Sequence, residues 1–227
     1  MLLVITIVFA VIGMFVSSRL KRKFEEFSQE PISSGLSGKE IAEKMLRDNN
    51  IHDVQVVSVE GQLTDHYNPA NKTVNLSHDV YHGRNIAAAA VSAHECGHAV
   101  QHATAYAWLQ MRSKLVPVVN VSSKLMNFVM IAAAIFAFAS SFYNQALLLI
   151  IVLQSAITLF TVITLPVEID ASHRALVWLN GARIARGEEN ERAKSALTWA
   201  AMTYIVAALA SIATLLYYVM RYTSRRD

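Results

Sequence analysis

The sequence has a single cysteine, Cys96, among its 227 residues. One cysteine excludes an internal disulfide and fits a reducing compartment. The sequence also contains no internal repeat, low-complexity tract or glycine-rich phosphate loop, which argues against solenoid proteins and P-loop nucleotide-binding proteins. Charged residues are scarce at 16%, whereas hydrophobic residues make up 54% of the chain. With a mean hydropathy of +0.34, the chain is too apolar for an ordinary soluble domain.

Four apolar segments explain this composition. The first, residues 2–16, is uncharged and is followed at once by a basic cluster, whereas a cleavable signal peptide carries its positive charge before its apolar core. We therefore expect a retained N-terminal anchor. The other three segments are each long enough to cross about 30 Å of hydrocarbon, and they cover residues 116–138, 146–165 and 199–220. Residues 140–145 are expected to form a short turn, which makes the second and third segments a helical hairpin.

The distribution of lysine and arginine predicts how these segments are oriented. Eleven of these residues lie in residues 19–115 and five in residues 166–198, against none in residues 140–145. By the positive-inside rule, both larger loops are cytoplasmic and the N-terminus is outside. Three C-terminal arginines disagree with this topology, namely Arg221, Arg225 and Arg226. The pI near 9.0 is explained by basic residues close to the membrane and requires no nucleic-acid partner.

Local patterns in the first cytoplasmic loop predict a helix and a small sheet. A capping box at residues 37–40 begins a helix that runs to about residue 48. Residues 53–60 and 73–77 are typical of strands, and we expect them to pair as an antiparallel sheet across a turn at residues 68–71. An exposed edge of this sheet can hold an extended peptide by strand addition, or the sheet can simply cover the core.

The most informative pattern is His94-Glu95-x-x-His98, in an alanine-rich helix that we expect Asn85 to cap. Residues four apart lie on one helix face, so both imidazoles can bind one metal ion, and zinc suits this geometry. A buried apolar helix has no structural use for these polar groups. Glu95 lies one position round the helix, where it can act as general base on a water in the open coordination position. The pattern therefore predicts hydrolysis of amide bonds.

A third metal ligand is required, and two residues are candidates. If the helix continues, His102 lies about 12 Å along the axis from His94, and Gln101 stands where proteases with HExxHxxGxxH have a helix-breaking glycine. Glu168 is therefore favoured, because Pro166 suits a helix start that places this carboxylate in the first turn. An acid in the first turn can also simply stabilise the helix N-terminus.

Other polar residues carry weaker signals. His173 and Arg174 can stabilise an oxyanion or can anchor a helix at the membrane boundary. The segment at residues 63–67, which includes Asp65, His66 and Tyr67, gathers polar groups that can orient a metal-bound histidine or hold a scissile carbonyl. Local hydrogen bonding is the more common role of such residues in a turn.

Two further features have ordinary structural interpretations. His78 and His82 are also spaced by four residues, but no acid or apolar context supports a second metal pair, so a surface turn is favoured. Cys96 lies two residues after His94 and points away from the ligand face, so packing is favoured over coordination.

Four segments together resemble the YugP-type family of putative neutral zinc metallopeptidases, which are bacterial membrane proteins. They are residues 63–69 (LTDHYNP), 76–81 (LSHDVY), 93–102 (AHECGHAVQH) and 165–172 (LPVEIDAS). The likeness covers nearly the whole chain. It implies zinc at His94 and His98, Glu95 as base, and a multi-pass protein of the bacterial plasma membrane.

A more distant likeness is to membrane gluzincins that process misfolded or prenylated membrane proteins. Their third ligand is the first residue of a Glu-x-x-Ala-Asp motif. Glu168-Ile-Asp-Ala-Ser172 matches this motif except at its last position. Ser172 there replaces the acid that supports a ligand histidine. Asp170, Asp65 and Asp79 are the candidates to substitute for it.

We therefore predict a mainly α membrane protein with about four transmembrane helices and a small cytoplasmic α+β zincin-like subdomain. Along the chain we expect an anchor at 1–18, the zincin-like region at 19–115, a transmembrane hairpin at 116–165, cytoplasmic helices at 166–198, a transmembrane helix at 199–220 and a basic tail at 221–227. The expected activity is zinc-dependent cleavage of peptides or membrane-protein segments at the bilayer. The alternative is a membrane scaffold or binding protein whose zinc is structural and has four protein ligands.

Overall fold

A computed structural model describes residues 1–135 and 140–224, which form seven helices and three strands. In chain order they are α1 (Leu2–Ser28), α2 (Gly38–Asp48), β1 (Gln55–Val59), β2 (His66–Asn68), β3 (Thr73–Ser77), α3 (His78–His82), α4 (Ile86–Ala103), α5 (Ala107–Ile135), α6 (Ser140–Gly181) and α7 (Glu188–Thr223). The fold is mainly α with one small sheet, as predicted.

The chain forms two compact units. One comprises Met1–Phe15, Gln110–Leu165 and the chain from Thr203, and the other comprises Val16–Leu109 and Pro166–Met202. We call the first the apolar unit and the second the site unit, since the second contains α2, the sheet, α4 and all the residues predicted for the metal site.

Four helices are long and apolar enough to cross a membrane, as predicted: Leu2–Ser28, Ala107–Ala132, Asn144–Gly181 and Glu188–Thr223. Within the apolar unit, the side chains of Gln154 and Thr158 on α6 both hydrogen-bond to Ser211 on α7, at 3.0 and 2.8 Å between side-chain atoms. Such hydrogen bonds hold helices together where no water is available. Arg225 and Arg226 of the predicted basic tail lie outside the described residues.

Local capping signals position the helices of the site unit. Ser37 and Glu40 form the predicted capping box at the start of α2. The predicted cap of α4 is also confirmed, because the Ala88 N–H donates to the Asn85 side chain at 2.8 Å. Helix α4 is rich in small residues, which allow its neighbours to pack closely, and it is almost completely buried. Helix α2 packs against α4 through apolar side chains such as Ile41.

The sheet differs from the predicted one. Its strand order is β1-β3-β2, and β1 pairs with β3 in parallel rather than antiparallel register. The predicted turn exists, but it joins β3 to β2, a short strand that the sequence analysis missed. The Asn68 side chain accepts the Ala70 N–H at 2.9 Å in this turn. Since β2 takes the hairpin position, β1 pairs with the other edge of β3, and β2 is an edge strand.

The long helix α6 corrects two further predictions. Pro166 lies inside this helix and does not begin a new one. Proline removes one backbone hydrogen bond, a loss that apolar membrane helices tolerate. The predicted turn at residues 140–145 is also wrong, since α6 begins at Ser140. The helix ends at Gly181, and the next helix begins at Glu188.

Candidate metal centre

Three side chains from two helices meet in the site unit: His94 and His98 from α4, and Glu168 from α6. The Glu168 Oε2 atom lies 3.3 Å from His94 Nε2 and 3.5 Å from His98 Nε2. All three ligand atoms lie within 4.8 Å of one another. Tetrahedral zinc with bonds of 2.0–2.2 Å requires ligand atoms about 3.3–3.6 Å apart. The donor set and both distances to Glu168 therefore fit a zinc ion.

The second nitrogen of each imidazole is held by a hydrogen-bond partner. His94 Nδ1 lies 3.1 Å from the Ser172 hydroxyl, and His98 Nδ1 lies 3.0 Å from Gln101 Oε1. Because the Gln101 oxygen only accepts, His98 carries a proton on Nδ1, and Nε2 is the nitrogen that faces Glu168. Partners of this kind fix the ring orientation of metal-binding histidines.

Gln101 is itself fixed by α6. It is fully buried, and its amide nitrogen donates to the Val167 carbonyl and to Asp170, both at 2.8 Å. Asp170 also accepts a hydrogen bond from Arg174 Nε at 2.6 Å. Because both partners of the amide nitrogen are acceptors, the orientation of the Gln101 side chain is determined. Asp170 therefore supports a ligand histidine through Gln101, and Ser172 supports the other ligand directly.

A glycine allows α4 and α6 to approach closely enough for this contact. A Cβ atom built on Gly97 would lie 2.6 Å from the Ala171 carbonyl oxygen. Any side chain there would push the helices apart. Gly97 lies between His94 and His98 in the chain, so the close approach of the two helices occurs at the cluster itself.

Electrostatics favour an anionic Glu168 facing the two rings. Glu168 is only 3% exposed. Burial by itself would lower the pKa of His98, but the hydrogen bond and charge of Glu168 reverse this effect and raise that pKa. The site therefore combines one buried negative charge with two imidazole nitrogens, as a divalent cation requires.

Glu95 lies beside this cluster but outside it. It is 8% exposed, and its Oε2 atom accepts the Tyr67 backbone N–H from β2 at 2.9 Å. Asp65 is nearby, with a carboxylate that accepts the Ser77 N–H at 2.7 Å. Burial, with a smaller contribution from the charge of Glu95, raises the pKa of Asp65. The edge strand thus fixes the direction of the Glu95 carboxylate.

The structure places the other candidates away from the cluster. His102 Nδ1 contacts the Tyr67 hydroxyl at 2.8 Å, and His66 Nδ1 contacts the Thr64 carbonyl at 2.7 Å. Cys96 is completely buried, and its thiol faces the Ala42 carbonyl at 3.5 Å. His173 is exposed on α6.

Comparison with known proteins agrees with this geometry. Residues 2–223 match the family model described as "Putative neutral zinc metallopeptidase". The chain belongs to this family. It is also 41% identical over 212 residues to the "Putative membrane protease YugP" of Bacillus subtilis (strain 168), which covers 92% of this chain and 91% of the relative. No solved structure matches the chain significantly.

The roles of two residues that shape the site of this zinc metallopeptidase family member were missed from the sequence. Gln101 follows His98 by three residues on one helix face, and this spacing was a usable signal. Gly97 is a helix-interior glycine, which usually has a packing reason. Tyr67 belongs to the polar segment 63–67 that the sequence indicated, but its contacts with Glu95 and His102 depend on β2 lying beside α4.

Proposed function

We propose that the chain is a membrane-embedded zinc metalloendopeptidase in which His94, His98 and Glu168 bind zinc and Glu95 is the general base. The observation that carries this proposal is the spacing of the three ligand atoms, with a second acid, Glu95, held beside them by the edge strand. A zinc ion in such a site acidifies a water molecule and polarises a carbonyl group. The family and the named relative support the same activity.

Glu95 carries the proton through the reaction. It accepts a proton from water as the water oxygen bonds to the carbonyl carbon of the scissile peptide, and the C=O electron pair moves to the carbonyl oxygen. When that pair re-forms the C=O bond, the C–N bond breaks and Glu95 passes its proton to the departing nitrogen. The products are a carboxylic acid and an amine, and Glu95 returns to its ionised form.

A groove in the site unit supports an extended peptide as substrate. It has a volume of about 550 Å³ and is lined by the C-terminal part of α1, the first turn of α4 and the part-buried acid Asp65. The charge of Glu95 contributes to the raised pKa of Asp65, so this acid of the groove lies within electrostatic range of the proposed base. We further propose that the substrates are peptides or membrane-protein segments at the bilayer and that the site faces the cytoplasm, as the basic residues of both loops favour.

A structural zinc site is less well supported. Such a site closes its coordination with a fourth protein ligand. Within residues 1–135 and 140–224, the ligand cluster contains three residues only. Two candidates for a fourth ligand are engaged elsewhere, since Cys96 faces Ala42 and His102 contacts Tyr67.

The test is peptide cleavage by the full chain in detergent, comparing wild type with Glu95→Gln. Loss of a general base lowers rates by about 10²–10⁴-fold, so we expect kcat to fall by that amount while the zinc content stays at the wild-type value. The matched control is Glu43→Gln, which makes the same change at a surface ion pair with Lys39. Equal kcat in wild type and Glu95→Gln would end the peptidase proposal.

A further inference from the structure

Tyr67 connects the proposed base to a histidine that binds no metal. Its backbone N–H donates to Glu95 at 2.9 Å, while its hydroxyl lies 2.8 Å from His102 Nδ1. The Tyr67 and His102 rings pack with their centroids 5.8 Å apart. One residue of the edge strand therefore holds two side chains of α4.

His102 lies on the ligand face of α4. It follows His98 by four residues, as His98 follows His94, so the three imidazoles form one stripe along the helix. His102 lies about 6 Å further along the axis than His98. Unlike the buried His98, it is exposed to solvent. Its ring is therefore accessible on the side of α4 that carries the three imidazoles.

The Tyr67–His102 pair always has one hydrogen-bond donor to spare. If the Tyr67 hydroxyl donates to His102 Nδ1, then Nε2 carries the remaining proton. If His102 Nδ1 donates instead, the hydroxyl proton is available. Burial, with a smaller contribution from Asp53, raises the pKa of the Tyr67 hydroxyl, which therefore keeps its proton at neutral pH. Neither of the two side chains has another hydrogen-bond partner within the described part of the chain.

The donors suggested by the sequence are less suitable. Arg174 donates through Nε to Asp170, and its guanidinium lies over the Tyr106 ring, 5.6 Å from the centroid. His173 follows Glu168 by five residues and therefore points about 140° away from it around α6. These positions leave the edge strand as the better source of a donor.

We propose that the Tyr67–His102 pair donates the hydrogen bond that stabilises the oxyanion of peptide hydrolysis, an inference that rests on the proposed function. As the water oxygen bonds to the carbonyl carbon, the C=O electron pair moves to the carbonyl oxygen and the water proton to Glu95. The spare N–H or O–H of the pair donates to that oxygen. The interaction strengthens as negative charge develops there, so it stabilises the transition state more than the bound substrate.

The experiment compares wild type, Tyr67→Phe and His102→Leu as zinc-loaded full-length proteins in detergent. Tyr67→Phe keeps the ring and the backbone N–H to Glu95 and removes only the hydroxyl. Two quantities are measured: kcat and KM for an unstructured peptide, and by calorimetry the affinity for a phosphinic peptide, which carries a tetrahedral anionic centre and is not cleaved. Removing one oxyanion donor lowers kcat by about 10²–10³-fold, and we expect a similar loss of phosphinate affinity with KM changed less than about threefold.

Two controls distinguish oxyanion stabilisation from a purely structural role of Tyr67 in holding β2 against α4. Tyr81→Phe removes a tyrosine hydroxyl from α3, where Tyr81 packs near Lys39, and should behave as wild type. Since the pair acts as a unit, the double variant should lose little more than either single variant. Wild-type phosphinate affinity in Tyr67→Phe, or a parallel loss of zinc and thermal stability, would overturn the proposal. An inactive wild type would instead refute the peptidase function itself.

Discussion

Two histidine pairs with the same four-residue spacing, His94/His98 on α4 and His78/His82 on α3, have very different surroundings. The ring centroids are 4.8 Å apart for His94 and His98 and 4.7 Å apart for His78 and His82. The first pair lies on an 18-residue, almost completely buried helix, whereas the second occupies the five-residue helix α3. Spacing and ring separation alone therefore do not distinguish a metal site from a surface turn.

The carboxylate that faces each pair makes the difference. Glu168 reaches His94 and His98 from another helix and is buried. The acid nearest the second pair is Asp79, 3.9 Å from His78, and its side chain is 78% exposed. Within the described residues, no hydrogen bond holds either ring of the second pair. A metal site thus requires a second element that supplies an acid and fixes the rings.

The largest expected effect follows from separating α4 from α6. In Gly97→Ala the new methyl group would meet the Ala171 carbonyl at 2.6 Å, so the helices must move apart. We expect a loss of about 1–3 kcal/mol in unfolding free energy and weaker zinc binding, because Glu168 moves with α6. Thermal unfolding and zinc titration measure the two effects.

The matched control for this change is Gly181→Ala at the end of α6. A Cβ atom there meets nothing within 4 Å. Zinc binding should stay at the wild-type value in this variant. Wild-type stability and zinc affinity in Gly97→Ala would show that close helix approach does not make the site.

A smaller effect is expected from removing the partners of the ligand rings. Ser172→Ala and Gln101→Ala each leave one Nδ1 atom without its acceptor. Changes of this kind weaken metal binding by about 10–100-fold, and we expect competition titration with a chelator to show this for both variants. The same truncation at the exposed residue Gln55 serves as control. Unchanged zinc affinity in both variants would show that the hydrogen-bond partners of His94 and His98 do not distinguish this pair from His78 and His82.

Much of the fold was predictable because its signals are local. The capping box of α2 and the Asn85 cap of α4 depend on side chains within three residues of the helix start. Pro166 was misinterpreted, since proline favours a helix start in water but is tolerated inside an apolar membrane helix. The sheet was misinterpreted because the turn identifies a hairpin without saying which upstream segment supplies the second strand.

The candidate site was predictable only as far as helix periodicity extends. Helix periodicity places His94 and His98 on one face of α4. Glu168 was predicted because it closely follows an apolar segment that ends at residue 165. The approach of α6 at Gly97 and the contact of Tyr67 with Glu95 join residues far apart in the chain. Such contacts arise from tertiary packing, so no local pattern predicts them.

The most direct test is the zinc content of purified protein after dialysis, measured for wild type, Glu168→Ala and the double variant His78→Ala/His82→Ala. The account predicts one zinc per chain in wild type and in the double variant. It predicts zinc affinity weakened by more than about 100-fold in Glu168→Ala, since a ligand and the only charge of the set are lost. Full zinc content in Glu168→Ala, or its loss in the double variant, would contradict the account.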